Sequence, residues 1–224
     1  SGLAAQVRSG ADNALLGEIT EAMTTNETLF FRDIRPFDQL RKVILPHLAE
    51  ARAANRRIRL WSAACSTGQE PYSFAMIIKD IGELLNGWRV EIFATDLSSE
   101  ALDKAKVGLY SQFEVQRGLP VTMMTRYFKR TEETWQIDSA IRAMVTFREF
   151  NLLEDFSRLG SFDAIYCRNV LIYFDKETKA DILRRVRKIL PDDGFLSLGG
   201  AETVLGVTDA FKPIDNERGL YAPA

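Results

Sequence analysis

The sequence predicts a doubly wound α/β fold built on a mostly parallel sheet. Between residues 58 and 198, short apolar runs alternate with helical segments, and this alternation is typical of parallel sheets. Strands made mainly of apolar residues are expected where helices cover both faces of the sheet. A chain of 224 residues is long enough for one sizeable core and a small appendage.

Four runs rich in aliphatic, aromatic and β-branched residues are predicted to be the strands of this sheet. They occupy residues 58–64, 90–95, 162–167 and 195–198.

Helices are predicted before and between these strands, at residues 37–52, 71–85, 100–107 and 176–190. Pro71 stands in the first turn of its helix, where a missing N–H costs nothing. Ser98 or Ser99 can cap the third helix, and Asp175 can cap the fourth. Pro191 then ends the fourth helix.

A further short amphipathic helix is predicted at residues 11–24, before the sheet begins. Its apolar stripe consists of Leu15, Leu16, Ile19, Ala22 and Met23. Because the chain opens with Ser1 and Gly2 instead of Met, we expect that residues upstream are missing.

The segment between Gly108 and Asn151 is too long for a simple crossover between parallel strands. Residues 135–138 and 144–147 have the pattern of strands, and residues 123–129 that of a short helix. We interpret residues 111–143 as a small, largely antiparallel insertion.

Composition excludes several classes of function. A formal net charge of −2 argues against a protein that coats nucleic acid or anionic lipid. The single histidine, His47, rules out a multi-histidine metal site and is interpreted as a solvated helix residue. Cys65 and Cys167 form no CxxC pattern and are interpreted as core residues, so we expect no metal site. No apolar run approaches the ~18 residues of a membrane span, and no signal peptide is evident, so we expect a cytoplasmic protein.

The loops after the first two strands carry the signals for a ligand, because doubly wound sheets bind ligands at the carboxyl ends of their strands. The first loop, residues 64–73, is made of small residues and enters a helix, so its backbone can approach a ligand closely. It contains one glycine, Gly68, where the dinucleotide fingerprint needs three. NAD and FAD are therefore disfavoured.

Asp96 ends the second strand, where a carboxylate usually accepts hydrogen bonds from a ribose diol. The alternative is that Asp96 caps the next helix. Together with the small-residue loop, the ribose interpretation favours a nucleoside cofactor without a pyrophosphate, such as S-adenosylmethionine. Glu70, at the entry of the helix, could complement the helix dipole or pair with a cationic group of the ligand.

Taken together, these residues resemble the CheR family of chemoreceptor glutamate methyltransferases, from about residue 24 to the C-terminus. The motifs that carry the resemblance are residues 25–32 (TNETLFFR), 61–73 (WSAACSTGQEPYS), 94–97 (ATDL), 151–153 (NLL) and 162–175 (FDAIYCRNVLIYFD). The resemblance implies a class I, Rossmann-like methyltransferase fold that uses S-adenosylmethionine and releases S-adenosylhomocysteine.

The resemblance also implies roles for individual residues. Arg32 and Tyr173 are expected beside the transferring methyl group as catalytic residues. Cofactor contacts are expected from Asn26, Thr28, Arg32, Glu70, Asp96, Asn151, Leu152, Arg168 and Asn169. Two simpler interpretations stay open: Arg32 could be an ordinary surface arginine, and Tyr173 an aromatic wedge beside Phe174.

Domain organisation and partners follow from the same resemblance. Residues 1–35 would be the last part of an N-terminal helical domain with its linker, and residues 36–224 the methyltransferase domain. The insertion at about 111–143 would be the family's β-subdomain, which in some members grips a pentapeptide tether on the receptor. The stretch 129–134 is short and lacks the glycine of those members, so we expect an enzyme independent of the tether. The expected partner is the cytoplasmic helical domain of chemoreceptors.

Eight basic residues but only three acidic ones lie between residues 32 and 59. This run is either a solvated helix face or a positive surface for an acidic receptor. Three other functions were weighed for the chain: a Rossmann oxidoreductase, a non-catalytic sensor of S-adenosylmethionine or S-adenosylhomocysteine, and a methyltransferase with another acceptor. The missing glycine fingerprint disfavours the first. Intact Arg32 and Tyr173 argue against the second.

Overall fold

A computed structural model of the chain describes residues 27–224, so the predicted helix at 11–24 and the predicted contact Asn26 lie outside the described residues. The central sheet has seven strands in the order β6-β2-β1-β7-β8-β10-β9. Their bounds are β1 Arg57–Ala63, β2 Arg89–Asp96, β6 Val145–Glu149, β7 Ala164–Cys167, β8 Phe195–Leu198, β9 Phe211–Ile214 and β10 Glu217–Pro223.

Five neighbouring strands of this sheet, from β6 to β8, run parallel, which confirms the predicted doubly wound fold. Trp61 at the middle of β1 lies opposite Phe93 on one side and Ile165 on the other. Every residue of β7 and of β8 is buried, as the predominantly apolar runs predicted. Two further strands, β9 and β10, were not predicted from the sequence and complete the sheet as an antiparallel edge.

The helices agree with the predicted ones in order but not always in extent. They are α1 Arg35–Gln39, α2 Leu45–Ala51, α3 Gln69–Asp80, α4 Ser99–Val107, α5 Gln112–Gln116, α6 Val121–Tyr127, α7 Ser139–Arg142 and α8 Lys176–Lys188. Ser98, not Ser99, caps α4 by accepting from the Ala101 N–H at 3.0 Å. Asp175 caps α8 as predicted, accepting from the Thr178 N–H at 2.8 Å.

Two predicted helices end or bend earlier than their periodicity suggested. The helix predicted at 37–52 contains a π-helical turn, Leu40–Ile44, between α1 and α2, in which the Leu45 N–H donates to the Leu40 carbonyl. Pro46 follows this turn and lacks the N–H that a regular helix needs there. The helix predicted to reach residue 85 ends at Asp80, just before the poor helix former Gly82.

A second, three-stranded antiparallel sheet confirms the predicted insertion. Its strands are β3 Leu109–Ser111, β4 Phe128–Thr131 and β5 Thr134–Ile137, in the order β3-β5-β4. Of these strands, β5 was predicted from the sequence and the two short outer strands were not. The helix predicted at 123–129 ends at Tyr127, and the next two residues begin β4.

The core lies on both faces of the central sheet. One cluster joins α1–α3 and the small sheet to one face, and the other packs α8 against the opposite face. Cys65 and Cys167 are buried within these layers, and His47 is exposed, as predicted. None of the helices between residues 27 and 224 combines the length and apolar character that crossing a bilayer requires.

Three of the eight basic residues, Arg52, Arg57 and Arg59, form ion pairs at the amino ends of the strands. Arg52 donates to Asp163 at 2.8 Å, just before β7. Arg57 and Arg59, in the first half of β1, both donate to Glu91 at 3.0 Å. These three arginines face the end of the sheet opposite its carboxyl edge, so they do not form a positive surface beside the cavity. A positive surface for an acidic receptor elsewhere in residues 32–59 stays a prediction.

Phe30 anchors the segment before α1 to the small sheet. Its fully buried ring lies 5.0 Å from the Tyr110 ring and 5.5 Å from the Phe128 ring, both in edge-to-face geometry. The backbone at Gly118 lies so close to Phe30 that a Cβ added to Gly118 would be 2.0 Å from the Phe30 carbonyl oxygen. Gly118 also has a φ of +85°, which side chains rarely adopt.

Replacing Gly118 by alanine is expected to lower the free energy of unfolding by about 3 kcal/mol, from the left-handed conformation and the backbone clash together. Urea denaturation measures this loss. Gly87→Ala is the control, because Gly87 has a similar φ of +76° but its nearest contact would be an arginine side chain at 4.0 Å. The Gly87→Ala variant should lower the free energy of unfolding by only about 1 kcal/mol. Equal losses in the two variants would contradict the proposed close approach.

Candidate functional site

A cavity of about 440 Å³ opens at the carboxyl ends of β1, β2 and β7. This is where the strand order reverses, since β2 lies on one side of β1 and β7 on the other. Its volume falls within the range of about 300–1,000 Å³ typical of small-molecule sites. The predicted site residues that line it are Thr28, Arg32, Glu70, Asp96, Asn151, Leu152, Arg168, Asn169 and Tyr173.

Asp96 connects the loops that follow the first two strands. Its carboxylate accepts the Ser66 N–H at 2.7 Å and the Ser98 N–H at 3.0 Å. The side chain is buried at the floor of the cavity, with 6% of its surface exposed. Ser98 is the N-cap residue of α4, and Asp96 supports the start of this helix by accepting the Ser98 N–H. A carboxylate can accept several hydrogen bonds, so the ribose interpretation fits this position.

Gly68 has a different role from the one its loop suggested. The cavity is lined by Ala64, Cys65 and Ser66, not by Gly68. A Cβ on Gly68 would lie 2.9 Å from Ala105 of α4, and the residue has a φ of +92°. Glycine at this position therefore allows α4 to pack closely against the loop. The residues that can approach a ligand are Ala64, Cys65 and Ser66, just before it.

Arg168 follows β7 and lies at the centre of a buried ion-pair cluster. Its Nη1 donates to Glu70 Oε2 at 2.7 Å, and its Nη2 donates to Asp33 Oδ2 at 2.7 Å and to the Arg32 carbonyl at 3.0 Å. The Ser62 hydroxyl donates to the other oxygen of Glu70 at 2.8 Å. Glu70 thus has a protein cation as its partner, which the two alternatives considered from sequence did not include.

Arg32 lies in a strained turn between the Phe30 anchor and α1. Phe31, Asp33 and Ile34 have φ values of 51°, 68° and 50°, which is costly for a β-branched residue such as Ile34. The Phe31 N–H donates to the Ser73 hydroxyl of α3 at 3.2 Å, which helps to hold the turn. Arg32 is half-buried and lines the cavity, so it is not an ordinary surface arginine.

Tyr173 ends a 3₁₀ turn, Leu171–Tyr173, that follows β7. It lines the cavity with 62% of its surface exposed, so it is not an aromatic wedge packed into the core. Its hydroxyl can reach both solvent and ligand at the mouth of the cavity. The neighbouring side chain, Phe174, contributes an apolar wall.

Glu202 is a site residue that the sequence analysis missed. Its two carboxylate oxygens together accept four backbone N–H groups at 2.7–2.9 Å, from Asn169, Val170, Leu171 and Gly199. This carboxylate fixes the turn that presents Asn169 and Tyr173 to the cavity, although Glu202 does not line that cavity. The signal in the sequence was an acidic residue in the loop after a strand, at the same edge as Asp96.

The protonation of Cys65 limits the chemistry that the cavity can perform. Burial raises the pKa of the Cys65 thiol well above its usual range, and the nearby charges of Asp96 and Glu70 raise it further. The thiol is therefore neutral at physiological pH and is not a nucleophile. Within residues 27–224, no group of three or more histidine, cysteine, aspartate or glutamate side chains could hold a metal ion.

The donor set of the cavity fits a nucleoside that carries charged groups. Leu97, Phe150 and Val170 provide apolar walls for a base, and Asp96 lies among them. Arg32 and Glu70 supply opposite charges, which suits a ligand with both an amino and a carboxylate group. The arrangement contains no glycine-rich cradle for a pyrophosphate.

Comparisons with known proteins point to one family. The family described as CheR methyltransferase, SAM binding domain, matches residues 26–220. A chemotaxis protein methyltransferase of Pseudomonas aeruginosa is 44% identical over 208 residues, covering 90% of this chain and 75% of that protein. One from Pseudomonas putida is 41% identical over 226 residues, covering 98% of this chain and 80% of that protein.

The Glu202→Gln variant is expected to lose about 2 kcal/mol of stability, because one oxygen that accepts two N–H groups becomes an amide donor. The displaced turn should raise the Kd for S-adenosylhomocysteine about tenfold, measured by calorimetry. Glu217→Gln is the control, since the Glu217 side chain accepts a single bond, from Gln39. Wild-type stability and affinity in the Glu202 variant would contradict the claim that this carboxylate fixes the turn after β7.

Proposed function

The chain belongs to the CheR methyltransferase family, and on this premise we propose that it methylates glutamate side chains of chemoreceptors, forming methyl esters. The observation that carries the proposal is the cavity at the switch point of the sheet. It has Asp96 at its floor, and Arg32 and Tyr173 on its walls.

S-adenosylmethionine is the cofactor, and when bound it supplies a methyl group on a positively charged sulfur. We assign the ribose contact to Asp96, which is held in place by Ser66 and Ser98. Arg168 and Glu70, paired at 2.7 Å, would flank the amino acid part of the cofactor. Further contacts are proposed from Asn26, Thr28, Asn151, Leu152 and Asn169, as the resemblance implied.

The acceptor requires little acid–base help from the protein. A glutamate carboxylate has an unperturbed pKa near ~4.3 and is already ionised at neutral pH. Agreeing with this, no histidine lines the cavity, and its cysteine is a neutral thiol. The contribution of the protein is to hold the carboxylate in line and to exclude water, which can supply several kcal/mol.

Arg32 and Tyr173 are the residues that we propose to orient the acceptor. The guanidinium of Arg32 can contact a carboxylate through two N–H groups, and its Nη1 is itself held by the Glu27 carbonyl at 2.8 Å. The exposed hydroxyl of Tyr173 can donate a hydrogen bond to the incoming carboxylate. Together they would bind the acceptor anion at the mouth of the cavity.

The choice of chemoreceptors as acceptors rests on the relatives that are chemotaxis protein methyltransferases. Independence from a receptor tether is proposed from the small sheet, because β4 and β5 are joined only by Glu132 and Glu133. We also propose that residues 1–35 are the end of a helical domain, that residues 36–224 are the catalytic domain, and that the enzyme acts in the cytoplasm.

The Arg32→Ala and Tyr173→Phe variants are each expected to reduce methyl transfer about a hundredfold, because each loses a group that orients the acceptor. The assay follows the radiolabelled methyl group from the cofactor to chemoreceptor membranes. The Arg158→Ala control removes an exposed arginine that does not line the cavity and should retain wild-type activity. Unchanged transfer in both test variants would exclude them from the mechanism. A wild-type protein that binds the cofactor but transfers nothing would instead indicate a sensor.

A further inference from the structure

A second concave surface, which we call the arginine groove, lies beside the cofactor cavity and has a volume of about 630 Å³. It is formed by the turn before α1, the loop after β8 and the start of β10. The residues that characterise it are Asp33, Arg35, Arg168, Gly200, Glu202 and Arg218.

The arginine groove adjoins the cofactor cavity. Arg168 lines both. Arg32 lines the cavity and the next residue, Asp33, lines the groove, so the two sites are only about 4 Å apart along the backbone. A chain that placed one side chain in the cavity mouth would therefore extend into the groove.

The charge that the groove presents to solvent is positive. Arg35 and Arg218 are exposed and form no ion pair with any residue in the range 27–224. The acidic residues of the groove are engaged: Asp33 pairs with Arg168 at 2.7 Å, and Glu202 accepts four backbone N–H groups. Two arginines are thus left available for an external anion.

These arginines differ from the rest of the basic run. Arg41, Arg52, Arg57 and Arg59 all pair with aspartate or glutamate, and the pairs of the last three lie at the amino ends of the strands. Arg35 instead lies at the carboxyl edge, where the chemistry takes place. Arg218 comes from a strand 183 residues further along the chain, and β10 runs antiparallel to β8, so its start reaches the same edge.

We propose that the arginine groove docks an acidic segment of the acceptor protein next to the glutamate that enters the cavity. This inference rests on the proposed function, because it assumes a protein acceptor. The backbone at Gly200 is open to such a segment, since a Cβ there would meet no atom within 4 Å. A nucleic acid is a poorer fit, because two exposed cations neutralise few phosphates and the chain has a net charge of −2.

The first test measures docking without methyl transfer. The probe is a fluorescein-labelled helical peptide of glutamate and alanine, compared with the same peptide carrying glutamine for glutamate, and binding is followed by anisotropy. Wild type should bind the glutamate peptide more tightly, and the affinity should fall as salt is raised. The Arg35→Glu/Arg218→Glu double variant should bind it at least tenfold more weakly.

The matched control is Arg158→Glu/Lys188→Glu, which makes the same change in net charge at two exposed positions outside the groove that form no ion pair within residues 27–224. It should bind the peptide as wild type does. The affinity for S-adenosylhomocysteine should be the same in wild type and in both double variants, which shows that each protein is folded. If the Arg35→Glu/Arg218→Glu variant does not fold, the Arg35→Gln/Arg218→Gln variant takes its place. Equal weakening in the control, no binding by wild type, or tighter binding of an RNA oligonucleotide would overturn the proposal.

The second test separates this proposal from the proposed function. With chemoreceptor membranes, the groove variant should raise KM about tenfold while kcat stays near wild type, because Arg35 and Arg218 do not line the cavity. Wild-type KM and salt dependence in that variant would overturn the docking role and leave the methyltransferase intact. Peptide binding that depends on the groove, without transfer to receptors by wild type, would instead contradict the proposed acceptor.

Discussion

One buried guanidinium, that of Arg168, ties together the three segments from which the site is built. Its side chain is 2% exposed and bonds to Glu70 at the start of α3 and to Asp33 and Arg32 in the turn before α1. Removing one partner from such a buried pair typically costs about 3–5 kcal/mol, because a charge is left without compensation. The strained turn that carries Arg32 can persist because this pair and the Phe30 anchor both hold it.

Buried or partly buried charged side chains also hold the other loops at the carboxyl edge of the sheet. Asp96 joins the loops after β1 and β2, and Glu202 holds the turn after β7, in each case through backbone N–H groups that donate to a carboxylate. Hydrogen bonds to a charged group are stronger than neutral ones. The apolar sheet therefore supplies rigidity, and the carboxylates and Arg168 convert its edge into a pocket of fixed shape, as a reaction that depends on orientation requires.

Sequence patterns predicted the parallel sheet, the insertion and the edge at which the cavity opens, because these depend on local periodicity and on a general rule for where such sheets bind ligands. Most residues that line the cavity were expected only from the family resemblance. Asp96 could be placed from its position at the end of a strand. The partner of Glu70 could not, since Arg168 lies 98 residues away and either charge could have had another partner. Glu202 was not predicted because its position in the loop after a strand was its only signal, and its bonds go to backbone groups that any residue type can supply. Arg35 and Arg218 line the same groove only because β10 brings Arg218 to the carboxyl edge of the sheet, and β9 and β10 were not predicted from the sequence.

Hydrogen–deuterium exchange of an Arg168→Met variant tests the central claim most directly. If the guanidinium holds the turn before α1, the amides of Phe31, Ile34 and Phe37 should exchange about a hundredfold faster than in wild type and should retain less protection than the amides of β1. Exchange at wild-type rates in those three amides would contradict the claim that Arg168 organises the site.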